Sequence, residues 1–337
     1  MKNYLYIIIF ALSSLNALED HWQSTKYVWS MNFALTSDTP PLNLHDEMFY
    51  SKSYKKIKSG DIVWVQANKL VNFYHKILPK IKKHFVLVTN ISDDSFPNEV
   101  GLNFPIEKLI NHPLVIHIFA QNISLKKKHP KVSSIPIGVD FHTLVWRPQY
   151  FSEIYLTPSQ QENQLDNLLE TLSPTDKRIP KAYVDFHLSD SIRNGCLQRY
   201  KELGEDRIAI FHKVLKSGRV DYCTQRMSRS ELWKIKGQYA FSISPHGNGL
   251  DCHRTWEDLI LGCIVIVKTS PLDCLYRGLP VVIVQDWSEI TPENMEKWLE
   301  QYGDAFTNSN YRKRLTHKFW MQKIIVKALP YRNLSWN

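Results

Sequence analysis

Residues 241–268 begin and end with an apolar segment that has strand character. Between the two lie a proline–glycine loop and, after it, a cation and a carboxylate. The loop, residues 245–249, holds two glycines, which allow backbone amides to approach an anion closely. Arg254 and Glu257 are three residues apart, so a helix that begins here carries both on one face near the positive end of its dipole. A guanidinium and a carboxylate in this position suit a diphosphate and a ribose hydroxyl. The segment therefore predicts a nucleotide-phosphate site.

The same spacing allows a plainer interpretation, because most α/β domains contain a strand, a glycine-rich turn and a helix in this order. His246 and Arg254 would then be solvated loop residues. Trp256 and Trp287 are expected to be core residues in either case, since large aromatic side chains bury most of their surface.

The segment resembles the donor-sugar motif of exostosin-type glycosyltransferases, which belong to the two-domain GT-B class. In that motif a serine–proline–glycine loop precedes an arginine, a tryptophan–glutamate pair and a glycine. The matching positions of this chain are Ser244, Pro245, Gly247, Gly249, Arg254, Trp256, Glu257 and Gly262. One position departs from the family, which often has proline where this chain has Val265.

Upstream segments extend the resemblance to most of the chain beyond about residue 60. An Asp-Asp loop in residues 89–97 directly follows a predicted strand, where α/β sheets hold ligands. The sequences FAQN and IPIG lie at residues 119–122 and 135–138. The residues that match the family here are Asp94, Pro97, Gln121, Asn122, Pro136, Gly138, Asp140 and His142.

The resemblance implies transfer of a sugar from a nucleotide donor, a UDP-sugar in preference, to a hydroxyl of a glycan or glycoprotein acceptor. Preorganised cations and amides would stabilise the charge that builds on the leaving phosphates. Asn122 is expected to line the cleft between the domains, and Arg193 is either a phosphate ligand or a surface cation. The residues expected to bind the donor are Arg193, Ser244, His246, Gly247, Asn248, Gly249, Arg254 and Glu257.

Transfer with inversion, which the resemblance favours, needs a base that removes the proton of the acceptor hydroxyl. The candidates are Asp94 first and then Asp140 or His142. Each has an alternative role in a turn or in fixing the loop that follows a strand. An Asp-x-Asp metal motif is missing from the sequence, and His253 beside Cys252 does not create a metal-ligand spacing. The expectation is a metal-independent enzyme that has a nucleotide-sugar as co-substrate and no cofactor.

Alternating strand and helix patterns predict the elements that must position these residues. The predicted strands are residues 61–66, 84–89, 114–120, 132–137, 182–186, 208–211, 241–244, 263–268 and 281–285. By resemblance the fold is GT-B, an α/β fold with two Rossmann-like domains that face each other across a cleft, and with a C-terminal helix that crosses back to the first domain. The predicted boundaries are a signal peptide or short signal anchor at 1–18, an acceptor-side domain at 25–157, a connecting helix at 158–180, a nucleotide-sugar-binding domain at 181–305 and the crossing helix at 306–337.

Composition and the N-terminus set the expected compartment and partners. The chain has 337 residues, 43% of them hydrophobic, and a formal net charge of +9, which anionic sugar nucleotides, anionic glycans or a membrane surface would match. Residues 4–12 are nearly all apolar, which fits a signal segment better than a membrane span. We therefore expect the secretory pathway, either lumenal in the Golgi or endoplasmic reticulum or secreted, with possible membrane association through the N-terminus. The oligomeric state is left open.

Two alternatives belong to other functional classes. A secreted, catalytically inactive relative would bind glycans or nucleotides without turnover. A nucleic-acid-binding protein would also be basic, but the sequence has no zinc-finger spacing, aromatic RNA-binding motif or heptads after a basic region. Nucleic acid is therefore not an expected partner.

Overall fold

The computed structural model describes residues 25–41, 51–147, 149, 153–186, 188, 207–223, 225 and 227–332. The described residues form two compact units, one of those up to residue 136 together with those from residue 316 onward, and one of those between residues 137 and 315. Each unit contains a parallel sheet and helices, which confirms the predicted α/β class with two parallel-sheet domains. The predicted signal segment and Arg193 lie outside the described residues. Among the helices of the described part, none is long and apolar enough to cross a membrane.

The elements are numbered in chain order. The strands are β1 (Asp61–Gln66), β2 (Phe85–Asn90), β3 (Val115–Ala120), β4 (Val132–Ser134), β5 (Ile179–Val184), β6 (Val220–Tyr222), β7 (Tyr239–Ile243), β8 (Ile264–Lys268) and β9 (Val281–Val284). The α-helices are α1 (Ser30–Leu35), α2 (Leu70–Asn72), α3 (Ile106–Ile110), α4 (His142–Trp146), α5 (Pro158–Leu169), α6 (Arg207–Leu215), α7 (Arg229–Lys236), α8 (His253–Leu261), α9 (Pro292–Tyr302), α10 (Ser309–Arg314) and α11 (His317–Ala328).

The first unit has a sheet with the strand order β1-β2-β3-β4. All six residues of β2 are buried, as expected for a strand of a parallel sheet that is covered on both faces. Helix α11 packs on β1, β2 and β3. It buries Trp320, Met321, Ile324 and Ile325, whose spacing gives the helix one apolar face. The C-terminal helix therefore returns to the first unit, as predicted, although this return begins at residue 316.

The second unit has the strand order β6-β5-β7-β8-β9, and every pair is parallel. From β5 the chain adds a strand on one side, and from β7 onward it adds strands on the other side. The direction in which successive strands are added therefore reverses between β5 and β7, while all strands stay parallel. In open α/β sheets such a switch point opens a crevice at the carboxyl ends of the strands, where ligands bind.

One predicted strand, residues 208–211, is wrong because it lies inside helix α6. The run is apolar and short, and periodicity does not separate a buried strand from a helix over so few residues. In the structure Ile210, Phe211 and Val214 are buried and Ile208 is exposed, which is helical spacing.

The boundary between the units also differs from the predicted one at residue 157, because residues 137–157 belong to the second unit. The reason is a set of hydrogen bonds to helix α8 and the residues before it. The amide of Ile137 donates to Asp251 Oδ2 at 2.8 Å, and the amide of Asp140 donates to Glu257 Oε1 at 3.1 Å. Helix α5, predicted as a connection, is likewise part of the second unit.

Candidate active site

The predicted donor loop lies at the switch point of the second sheet. Strand β7 ends at Ile243, residues 244–252 form the loop, and helix α8 begins at His253 and ends at Leu261. Gly262 caps the helix with a φ of 85°, in the left-handed region that glycine adopts without strain. Asp185 directly follows β5, the neighbour of β7, so it comes to the same edge of the sheet.

Arg254 connects helix α8 to both strand ends. Its Nη2 donates to the carbonyl oxygen of Pro245 at 2.9 Å, and its Nε lies 3.7 Å from Asp185 Oδ1. The guanidinium carbon lies 5.7 Å from the ring centroid of Phe186. The predicted phosphate-binding cation is thus held in a defined position at the carboxyl edge of the sheet.

The loop that precedes Arg254 is held by a hydrogen bond within it and by hydrogen bonds to helices α6 and α8. Ser244 Oγ and Thr255 Oγ1 share a hydrogen bond of 2.8 Å, and His246 Nδ1 donates to the carbonyl of Leu250 at 2.7 Å. Arg207, the first residue of α6, donates to the carbonyl of His246 at 2.8 Å. These bonds fix the course of the loop.

The glycine region of the loop differs from the prediction in one respect. The amide of Gly247 was expected to face an anion, but it donates to the carbonyl of Gly249 at 3.1 Å. A side chain at Gly247 would bring a Cβ within 3.0 Å of Cys252 Sγ, so the glycine permits a close turn. Asn248 lies half-buried between the two glycines.

Glu257 was expected to contact a ribose, and the structure gives it a second role. Only 8% of the residue is exposed. Trp233 Nε1 donates to Oε2 at 3.1 Å, and the amide of Asp140 donates to Oε1 at 3.1 Å. Each carboxylate oxygen has a further acceptor position. Glu257 therefore holds the segment that carries Asp140 and retains the capacity to accept a ligand hydroxyl.

Asp140 and His142 form a hydrogen-bonded pair at the start of helix α4. His142 Nδ1 lies 2.9 Å from Asp140 Oδ1. The same carboxylate caps the helix, because the amide and hydroxyl of Thr143 donate to its two oxygens at 2.9 and 2.6 Å. Burial alone would raise the pKa of Asp140, but the neighbouring His142, His253 and Arg229 bring it well below its ordinary value. The carboxylate is thus ionised and orients the imidazole, which is the arrangement of a histidine base.

His253, for which no role was predicted, joins this pair. Its Nδ1 donates to the carbonyl of Gly138 at 2.7 Å, and its ring centroid lies 5.1 Å from that of His142. Burial lowers the pKa of His253 below its ordinary value. Its place in the sequence, directly before Arg254, is the signal that points to a role in the site.

The other two predicted site residues, Asp94 and Asn122, lie in the first unit. Asp94 is exposed and belongs to a turn, in which its Oδ2 accepts from Ser92 Oγ at 3.0 Å. Asn122 is buried, has a φ of 53°, and donates from Nδ2 to the carbonyls of Ser92 and Asp93 at 2.9 and 3.3 Å. Asn122 was predicted to line a cleft, but its amide holds the Asp-Asp loop. Its Nδ2 is engaged there, which argues against its use as a glycosylation site.

A buried ionic cluster lies next to Arg254 and was not foreseen from the sequence. Lys236 Nζ lies 2.8 Å from Asp185 Oδ2 and also contacts Asp258 Oδ1. Burial lowers the pKa of Lys236, but the two carboxylates outweigh it and raise the pKa above its ordinary value. Burial raises the pKa of Asp258 to about 6, against the opposing effect of Lys236. Asp185 contacts both Lys236 and Arg254, so this cluster helps to hold Arg254 in position.

No family model matches the sequence, and no curated protein is significantly similar to it. A UDP-forming α,α-trehalose-phosphate synthase from Burkholderia xenovorans is a structural match, with 13% identity over 83% of this chain and 76% of that chain and a TM-score of 0.39. An α,α-trehalose 6-phosphate synthase from Burkholderia multivorans has 12% identity over 88% and 76%, with a TM-score of 0.37. The pneumococcal O-GlcNAc transferase GtfA, in complex with UDP and GlcNAc, has 11% identity over 86% and 61%, with a TM-score of 0.36. At these identities and TM-scores the similarity assigns neither a reaction nor a substrate to this chain.

Proposed function

We propose that this chain is a GT-B glycosyltransferase of the exostosin-like type, which moves a sugar from a nucleotide donor to an acceptor hydroxyl. The observation that carries the proposal is the position of the donor loop. A loop that resembles a donor-sugar motif follows β7 at the switch point of a parallel sheet, where such sheets bind nucleotides. Arg254 is held there by Pro245 and Asp185.

In this proposal Arg254 binds the diphosphate of a UDP-sugar. When the bond between the sugar carbon and the phosphate oxygen breaks, negative charge builds on the diphosphate. A guanidinium that is already positioned stabilises this charge in the transition state with little reorganisation. The donor site therefore needs no metal. Glu257 accepts a hydrogen bond from a ribose hydroxyl at its second acceptor positions.

His142 is the proposed base, and Asp140 is its positioning residue. The neutral ring takes the proton of the acceptor hydroxyl while that oxygen attacks the sugar carbon from the side opposite the leaving diphosphate. The product has inverted configuration, and the imidazolium that forms is stabilised by the Asp140 carboxylate at 2.9 Å. Asp94, the first candidate from the sequence, is a less suitable base because it is an exposed turn residue.

The setting of this reaction follows from the sequence expectations. The acceptor is a glycan or a glycoprotein, and the compartment is the lumen of the secretory pathway or the cell exterior. The apolar N-terminal segment supports this part of the proposal.

The test combines donor binding with turnover. Binding of UDP is measured by isothermal titration calorimetry, and hydrolysis or transfer is measured over a panel of UDP-, GDP- and CMP-sugars. Arg254→Ala should weaken UDP binding at least about tenfold, since a charge-assisted bidentate contact contributes more than about 1.4 kcal/mol. Arg277→Ala, at an exposed arginine of the same unit, is the matched control and should leave binding unchanged. The proposal fails if no sugar nucleotide is turned over and Arg254→Ala binds UDP as the wild type does.

A further inference from the structure

Three side chains of the second unit bring metal-ligating atoms together. Asp140, His142 and His253 each offer one ligand atom, and these atoms all lie within 4.8 Å of one another. All three residues are half-buried. They come from two segments, since Asp140 and His142 flank the start of α4 and His253 opens α8. Two imidazoles with one carboxylate are a donor set that first-row divalent cations prefer.

The hydrogen bonds around His253 set the form of its ring. A carbonyl oxygen only accepts, so Nδ1, at 2.7 Å from the Gly138 carbonyl, carries the proton. Nε2 of the neutral ring then carries the lone pair. Histidines that bind metals usually donate their other ring N–H to a carbonyl or a carboxylate in this way.

The charges next to the three side chains are compatible with a cation. The Glu257 carboxylate lies close to them, because it accepts from the Asp140 amide. Arg229 is a positive charge near the site and would oppose the binding of a cation. Its guanidinium donates to the backbone carbonyl of Asp140. The same guanidinium lies 4.6 Å from the ring centroid of Trp233, which holds it against that ring.

We propose that Asp140, His142 and His253 form a binding site for a divalent transition-metal ion, with Zn²⁺ as the representative ligand. Zinc–nitrogen and zinc–oxygen bonds of about 2.0–2.2 Å place tetrahedral ligands about 3.4 Å apart. The side chains therefore need to close by no more than about 1.5 Å from their present separation of up to 4.8 Å. Water or a ligand hydroxyl completes the coordination shell.

The proposed sugar transfer does not use this metal ion. A cation there occupies the His142 and Asp140 groups that act as base and positioning residue in the proposed reaction. Bound Zn²⁺ should therefore inhibit transfer, and a chelator should restore it. The proposal of a metal site itself rests on the geometry and does not depend on the transferase reaction.

The test uses the full, untagged protein with Zn²⁺ or Co²⁺ alone, without any sugar nucleotide. Isothermal titration gives stoichiometry and affinity, and the visible spectrum of the Co²⁺ form reports a coordinated ion of low coordination number. The variant His253→Asn removes the imidazole ligand and keeps a side-chain N–H for the Gly138 carbonyl. Asp140→Asn removes the charge. His212→Asn, at an exposed histidine of α6, is the matched control, and circular dichroism confirms folding of each variant.

The expected result is one ion per chain in the wild type and in His212→Asn, with affinity at least about tenfold lower in His253→Asn and Asp140→Asn. The proposal is overturned if the wild type binds no Zn²⁺, or if His253→Asn binds it as tightly as the wild type does. Both readouts are independent of turnover, so a failed transferase assay leaves this result interpretable.

Discussion

Replacing Lys236 by methionine tests the buried ionic cluster behind Arg254. Methionine has a similar length but no charge, so Lys236→Met leaves Asp258, which is fully buried, and Asp185 without their shared cation. Breaking a buried ion pair by removing one partner costs about 3–5 kcal/mol of the free energy of unfolding. The matched control is Lys234→Met at an exposed position of the same helix, and it should change stability by less than about 0.5 kcal/mol.

The pH dependence sharpens this prediction. Asp258 has a pKa raised to about 6 in the folded protein, so the wild-type carboxyl group is ionised above that pH. Without Lys236 its folded pKa rises further, while the unfolded pKa stays near 3.9. A group whose folded pKa is raised loses its stabilising contribution as pH rises through that pKa. The difference in the free energy of unfolding between the wild type and Lys236→Met should therefore grow above pH 6, by up to about 1.4 kcal/mol per pH unit.

Urea unfolding at pH 6, 7 and 8 measures this difference. Adding Asp258→Asn to Lys236→Met removes the uncompensated carboxylate and should recover part of the loss, most clearly at pH 8. The reasoning is refuted if Lys236→Met is no less stable than Lys234→Met, or if its difference from the wild type does not change between pH 6 and 8.

Further predictions concern the proposed base His142, a buried carboxyl group and the cap of helix α8. If the proposed reaction is correct, His142→Gln should lower kcat for sugar transfer by about 10²–10⁴-fold while the dissociation constant for UDP stays the same, because the proposed base does not touch the nucleotide. A proportional loss of UDP binding would contradict this. Burial raises the pKa of Asp251 to about 6, so its contribution to stability is present at pH 4 and is lost as pH rises through 6. Asp251→Asn should flatten the urea-unfolding profile between pH 4 and 7, and an unchanged profile would speak against the assignment. Gly262→Ala should lower the free energy of unfolding by about 1–3 kcal/mol, because φ is 85° and the new Cβ would lie 2.5 Å from the Phe306 ring; equal stability in urea would disprove that strain.

The regular elements around the predicted donor loop could be predicted, because local sequence pattern decides them. The buried β7, the Gly262 cap and the apolar β8 follow from a short apolar run, a glycine and a second apolar run, and the structure confirms them. Trp256 and Trp287 are buried, as expected for large aromatic residues. The apolar run at residues 208–211 was misassigned because a helix and a strand bury short runs of this kind equally well.

The sequence by itself determined the α/β class and the loop that carries Arg254, since both depend on local periodicity, turn residues or a local motif. The return of the C-terminal helix to the first unit was implied only by the family resemblance. Tertiary structure alone decided which side chains meet. Asp140 and His142 lie more than 100 positions before His253, yet all three belong to one cluster, because Asp251 and Glu257 bind backbone amides of the segment that follows β4. Lys236, Asp185 and Asp258 likewise come together only through the packing of α7 and α8 beside the sheet. Hydrogen bonds and ion pairs between distant segments have no periodic signature along the chain, so they appear only once the chain is folded.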